Sequence, residues 1–232
     1  MGAASPAPQP ASPAQHLVWD WNGTLFHDMD AVLGATNAAF AELALPGLRS
    51  LTLERYRELY RVPVTEFYEA LLGRAPTPGE WELMDGTFQR HYARESPRCG
   101  LTAGAVDVLD GWLGSGRSQS LLSMYGHEDL VPLVKGFGIA DRFIRVQGRT
   151  GPSGGSKAEH LVRHLAALSG EVAPARTVVI GDAADDGHAA RAAGARAVLY
   201  TGGSHSRASL ARTGFPVADS LAEAVAMAET GA

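Results

Sequence analysis

The stretch His16-Leu17-Val18-Trp19-Asp20-Trp21-Asn22-Gly23-Thr24-Leu25 decides the fold. A short apolar run stops at an acid, and a Gly-Thr turn follows at once. That order predicts a buried strand over 17–19 whose C-terminal tip delivers the Asp20 carboxylate into a tight loop. Open parallel sheets gather their chemistry at such strand ends. A plain strand with a polar turn would read the same over ten residues, so the weight falls on the rest of the chain.

From Leu101 onward short apolar runs alternate with helical periodicity. Helices are predicted over 104–113, 127–137, 157–168, 186–193 and 220–228, with Ser156 as N-cap of the third and Gly194 stopping the fourth. Strands are predicted over 119–123, 143–146, 177–182, 197–200 and, weakly, 215–217; 150–156 is a flexible loop. This is the grammar of an α/β protein, a three-layer Rossmann-like parallel sheet core with helices on both faces. Between Asp28 and Ser96 the periodicity is helical throughout. It predicts helices near 32–43, closed by Leu45-Pro46-Gly47, then 52–60, 64–72 behind Pro63, and 80–94. The expected organisation is a disordered Pro/Ala tail over 1–14, a core from 15–27 and 97–232, and an inserted α-helical cap over 28–96.

The 232 residues carry a net charge of −5, and the pI near 5.9 argues against a nucleic-acid or anionic-membrane partner. Cys99 is the single cysteine, which forbids an intrachain disulfide and fits a reducing compartment. No apolar run is long enough to span a bilayer. The first 14 residues lack the basic and apolar segments of a secretory signal. A cytoplasmic monomer or homodimer is the expectation. Of the 20 cationic residues only Lys135 and Lys157 are lysines.

Four pieces fall at or just beyond strand tips, in order: Asp20 with its Gly23-Thr24-Leu25 turn, Ser123, Lys157, and Gly181-Asp182-Ala183-Ala184-Asp185-Asp186. Together they resemble the haloacid dehalogenase superfamily, in particular its phosphoglycolate-phosphatase-like members with a helical cap inserted after the first motif. The resemblance covers the chain from about Leu17 to Ala228. It implies a Mg²⁺-dependent phosphatase acting on a small phosphorylated metabolite, with Asp20 as the nucleophile that forms an aspartyl-phosphate. Asp20, Asp182, the backbone carbonyl of Asn22 and the supporting Asp186 match the metal site, where a hard cation with oxygen ligands belongs. Lys157 matches the residue that neutralises phosphate charge. Ser123 and the backbone N–H groups around Trp21 to Gly23 and Met124 match the phosphate cradle. Tyr60 and Arg61 match the place of a substrate-specificity loop in the cap, with Tyr68 beside them. Hinges are expected near Phe26-His27-Asp28 and Ser96-Pro97. Trp19 should be core, and Trp21 should line the pocket.

One position departs from the pattern. The family's phosphatases carry a second aspartate two residues after the nucleophile, which protonates the leaving oxygen; here it is Asn22. An amide donates hydrogen bonds but transfers no proton at neutral pH. General acid–base catalysis is worth about 10²–10⁴-fold, or roughly 3–5 kcal/mol of barrier. The chain should therefore bind metal and phosphate while turning over slowly, unless water or a side chain such as His27 or His127 moves the proton. On this reading Asn22→Asp should raise turnover on alkyl phosphates. Two alternatives stand beside it: a phosphate-binding or regulatory protein, and another activity of the scaffold such as phosphonate cleavage. The latter uses a cap lysine, and 28–96 contains none. Dehalogenation needs no metal, and the Asp182/Asp186 pair counts against it.

Overall fold

The computed structural model describes residues 13–44, 50–151 and 156–230. Strand β1, His16–Trp19, is buried on both faces, as a run of Leu, Val and Trp requires. It lies inside a six-stranded parallel sheet with β4 (Ser118–Gly126), β5 (Val146–Arg149), β6 (Thr177–Gly181), β7 (Arg196–Tyr200) and β8 (Val217–Ala218). The order is β5-β4-β1-β6-β7-β8. Register pairs Val18 with Ser120 on one side and Val179 on the other. The chain builds outward from β1 to β5, then returns past β1 to begin β6, so β1, which ends at Asp20, sits at the topological switch where open α/β sheets bind ligands.

Alternation along β1 sorts the two covering layers. Leu17 and Trp19 pack with α5 (Ala105–Gly114), α6 (His127–Gly136) and α10 (Leu221–Thr230). Val18 packs on the other face with α7 (Lys157–Ala167) and α8 (Ala184–Ala192). The three-layer reading holds. Burying each such side chain contributes about 1.5–3 kcal/mol, so substitution of Leu17 by a polar residue would strike the centre of the sheet.

The inserted segment is helical: α1 Met29–Leu43, α2 Leu53–Leu59, α3 Val64–Leu72 and α4 Pro78–Glu95. Thr52 caps α2 through the Arg55 N–H, and Thr77 with Glu80 forms a capping box on α4. Phe40, Tyr68 and Met84 form one core of the cap, and Met29, Tyr56 and Phe67 a second. At the expected hinges the chain makes a two-stranded antiparallel ladder, β2 Phe26–His27 against β3 Gly100–Leu101.

Three expectations need correction. Ala14 is fully buried and its N–H reaches the Ala228 carbonyl, so the core begins before residue 15. The strand expected over 143–146 lies at Val146–Arg149; Ile144 is 44% exposed, while a break in the β4 register after Leu122 sets the pairing. A short helix, α9 Arg207–Ala211, stands where no element was expected. Leu45-Pro46-Gly47 and most of the 150–156 loop lie outside the described residues. No helix among the described residues is long and apolar enough to cross a membrane.

Candidate active site

Asp20 leaves the end of β1 with its N–H bonded to the Ile180 carbonyl of β6. The turn behind it closes on the Trp21 carbonyl, which takes the N–H groups of Thr24 and Phe26, and on the Phe26 carbonyl, which takes that of Gly23. Gly23 has φ +69°, and a Cβ there would lie 2.7 Å from Asp182 Oδ2. Glycine is therefore needed twice, for the left-handed backbone and for the approach of the second carboxylate.

Asp182 follows β6, and Asp186 sits in the first turn of α8. With Asp20 they form a buried group whose carboxylate oxygens lie within 4.8 Å of one another. Each acid is held by named donors. Asp182 Oδ2 accepts from the Ser204 N–H (2.6 Å) and Oγ–H (2.5 Å), while Thr24 Oγ1 lies 3.5 Å from Oδ1. Asp186 Oδ2 accepts from the Ala183 N–H at 2.9 Å. A Cβ on Gly203 would fall inside the Asp182 carboxylate, and one on Gly181 inside that of Asp186.

Lys157, the first residue of α7, bridges Asp20 Oδ1 at 2.5 Å and Asp186 Oδ1. A cation is disfavoured at a helix N-terminus, so the two carboxylates hold it there. Three acids face one lysine. Burial pushes Asp20 up to about 8 despite the pull of Lys157, with Asp186 and Asp182 adding repulsion. Burial and the neighbouring Asp186 push Asp182 up to about 6 against the Ser204 bonds. Burial opposes the Lys157 charge, yet Asp186 and Asp20 outweigh it and raise its pKa. A set of hard oxygen donors with surplus negative charge is what a divalent cation such as Mg²⁺ fits.

Ser123 is buried in β4 and its Oγ accepts from the Tyr125 N–H at 3.0 Å. Met124 is half-buried, and its carbonyl takes the Arg149 Nε–H. The Gly23 N–H, expected to face phosphate, is instead committed to Phe26 O and Asp28 Oδ1 (2.9 Å). Gly23 thus contributes space rather than a donor. Trp21 corrects another expectation: it is fully buried and stacked 5.2 Å from Phe26, so it belongs to the core.

Asn22 turns its side chain toward the cap. Its Nδ2 donates to Asp28 Oδ2 and to Tyr92 Oη, both at 2.8 Å, and the Tyr92 hydroxyl donates to Asp28 Oδ2 at 2.7 Å. Burial and then Asp28 push the Tyr92 phenol up, so it keeps that proton. Neither histidine proposed as a substitute acid sits well for it. His27 is exposed and lines an open cavity of about 580 Å³ on the hinge side, which includes none of the three acids. His127 Nδ1 accepts the Gly148 N–H.

The cap meets the core over the 202–206 loop. Arg57 of α2 donates from Nε to the Gly203 carbonyl and from Nη2 to that of Gly202, both at 2.7 Å. The same loop supplies Ser204 to Asp182. Tyr60 stands edge-on to His205 at 5.1 Å. Burial, then the charges of Asp182, Asp20 and Asp186, raise its phenol. Arg61 is exposed. Ser204, His205, Arg57 and Tyr92 were not picked out from sequence, and Asp28 was picked out only as part of a hinge; each is an ordinary polar residue whose partners no local pattern reveals.

Residues 154–224 match the HAD-hydrolase-like family model. The phosphoglycolate phosphatase of Thiobacillus denitrificans (strain ATCC 25259 / T1) is 29% identical over 191 residues, which is 78% of this chain and 81% of that protein. Among solved structures, a haloacid dehalogenase-like family hydrolase from Streptococcus pneumoniae superposes with TM-score 0.74 at 20% identity, covering 92% of this chain and 97% of the other. Protein Tyrosine Kinase A of Mycobacterium tuberculosis gives TM-score 0.73 at 22% identity, covering 91% and 96%. The resemblance read from the sequence is borne out, and the relatives support a hydrolase of the phosphatase kind.

Proposed function

We propose that this chain of haloacid dehalogenase-like fold is a Mg²⁺-dependent phosphatase of a small phosphorylated metabolite, working through an aspartyl-phosphate on Asp20. One observation carries the reading. A buried carboxylate at the switch-point strand tip is gripped by Lys157 at 2.5 Å while two more acids converge on it. Asp20, Asp182 and the Asn22 carbonyl would hold the ion, with Asp186 fixing Lys157 beside it; the bound ion would supply positive charge where phosphate oxygens gather.

The chain's own residues then do the following. Lys157 fixes one oxygen of Asp20 and leaves the other to attack phosphorus as the ester P–O bond breaks. Lys157 and Ser123 balance charge on the transferring group, whose transition state needs mostly positioning and electrostatic stabilisation. The leaving alkoxide takes its proton from water, because Asn22 has none to give. Water later cleaves the acyl-phosphate, releasing inorganic phosphate and restoring the carboxylate. Closure of the cap, with Tyr60 as its roof and Arg61 near the entrance, excludes bulk water. The single cysteine fits a cytoplasmic setting, as monomer or homodimer.

The name of the Thiobacillus relative makes phosphoglycolate the first substrate to assay. The expected result is Mg²⁺-dependent release of phosphate, a phosphoryl group trapped on wild type after acetyl phosphate, and neither with Asp20→Asn. Rates across aryl and alkyl phosphates should rise steeply as the leaving group becomes more acidic. A flat series would sink the missing-acid argument. Metal binding with no phosphoenzyme and no turnover would favour the second reading, a phosphate-binding protein, which Asn22 specifically supports.

A further inference from the structure

Asp28 occupies the N-cap position of α1, yet its side chain makes no capping bond. An aspartate there ordinarily accepts from the N–H groups of the first turn. This one is fully buried and turned the other way. Its Oδ1 accepts from the Gly23 N–H, and its Oδ2 from the Asn22 amide and the Tyr92 hydroxyl. All three donors are neutral. Gly23 and Asn22 belong to the loop that carries Asp20, and Tyr92 to the cap helix α4.

We propose that Asn22 and Asp28 are one charge-swapped pair, with the amide at 22 required because the carboxylate stands at 28, and that Asp28 is a positioning residue tying the nucleophile loop to the cap through Tyr92. Two consequences separate this from a simple loss of an acid. A carboxylate at 22 would bring an oxygen to within about 2.8 Å of the Asp28 oxygen now facing Nδ2, so like charge meets like charge in a buried place. An amide at 28 would spoil the arrangement from the other side, because whichever way it turns its NH₂ end meets a donor, either the Gly23 N–H or the Asn22 amide and Tyr92 hydroxyl. Restoring an aspartate at 22 alone should therefore do harm, which revises the expectation drawn from sequence. Exchanging both residues moves the amide to position 28, where it can donate to the carboxylate now at position 22 and still accept from the Gly23 N–H.

The test uses the full chain as wild type, Asn22→Asp, Asp28→Asn, the double exchange, and Tyr92→Phe. Thermal midpoints are measured in EDTA. Each single change at 22 or 28 should lower the midpoint, and the double exchange should regain at least half of the larger loss. Losses that simply add in the double exchange would overturn the pair. The kinetic arm, which rests on the phosphatase reading, follows p-nitrophenyl phosphate with Mg²⁺ well below the midpoints. Each single change should lower kcat by about tenfold or more, the scale of one hydrogen bond to a charged group. The double exchange should regain at least half of the larger single-change loss in kcat. Tyr92→Phe keeps the ring and should lower kcat with little change in KM. An Asn22→Asp protein as fast as wild type with Asp28 intact, or an unchanged kcat for Tyr92→Phe, would overturn the positioning role. Were wild type to hydrolyse nothing while the thermal coupling held, the phosphatase reading would fail and the pair would stand.

Discussion

Two polar centres are buried on the same side of this sheet, and they solve burial in opposite ways. At the strand tips, Asp20, Asp182 and Asp186 face Lys157 alone, a charged group short of positive charge. Toward the other end of the strands, His16, Ser118, Ser120, His164 and Gln147 form a neutral chain. His16 bonds Ser118 Oγ through Nδ1 and Ser120 Oγ through Nε2; His164 bonds Ser120 Oγ through Nε2, each at 2.8 Å, and Gln147 Oε1 through Nδ1 at 3.0 Å. Because Gln147 Oε1 only accepts, the protons run one way: Ser118 to His16, His16 to Ser120, Ser120 to His164, His164 to Gln147. Helix α7 touches both centres, through Lys157 and His164, about 10.5 Å apart along its axis. The neutral chain is satisfied within the fold, whereas the acid cluster carries surplus negative charge of the kind a bound cation would balance.

The sharpest way to break the comparison is to take the lysine away. Lys157→Met takes from three buried acids the cation that balances them, leaving only the neutral donors of Ser204 and Ala183. Removing one side of a buried ion pair costs about 3–5 kcal/mol. The loss should be largest near pH 8 and smaller near pH 5, where the acids take up protons. Turnover, if the phosphatase reading holds, should fall by about 10²–10³-fold. Denaturant melts at both pH values check the first part. Equal losses at both would mean that the lysine does not balance these acids.

The two centres should also answer pH with opposite signs. Asp20 and Asp182 are raised on folding, so their stabilising effect is full below the ordinary aspartate range and fades as pH climbs through about 6 and 8. Burial lowers His16 to about 4, and burial, with Arg145 and His16 adding, lowers His164 to about 3. Their contribution is full above the ordinary histidine value and fades as pH falls through those values. In EDTA the thermal midpoint should therefore drop on both sides of a weakly acidic optimum. Mg²⁺ at a hundred times its Kd should add about 2.7 kcal/mol, and should do so on the alkaline side only. Asp182→Asn should abolish that gain. A rise of equal size at pH 5 would mean that the ion binds elsewhere.

How much of this was readable beforehand follows from range. The positions of Asp20, Asp182, Asp186 and Lys157 were legible because each ends a short apolar run or opens a helix, a local signal, while the roles given to them came only with the family resemblance. The three layers were legible because β1 and β6 are buried on both faces and read as unbroken apolar stretches. The rest depends on meetings that no local pattern encodes. Tyr92 finds Asp28 across 64 residues, and Arg57 finds Gly203 across 146. Phe143 and Ile144 looked like strand by composition, yet pairing is set by the break in β4. Trp21 looked like pocket lining beside a polar loop, but Phe26 offered its ring a stacking partner. Asn22 was legible as a departure and not as half of a pair.

The finest comparison sets one serine against another. Ser118→Ala removes the donor to His16 Nδ1 at the end of the neutral chain. The nitrogen loses its partner in a place poor in water, so the change should cost about 1 kcal/mol or somewhat more, visible at pH 7 as a lower denaturant midpoint with an unchanged slope. Ser204→Ala removes one donor to Asp182 Oδ2 but leaves the backbone N–H of the same residue in place. Here the loss falls on the charged form of a carboxylate already reluctant to ionise, so it should appear mainly on the alkaline side and shrink when Mg²⁺ is present. If both serines gave the same pH-independent loss, the acids and the histidines would differ in composition alone, and the contrast between an open and a closed centre would have to be given up.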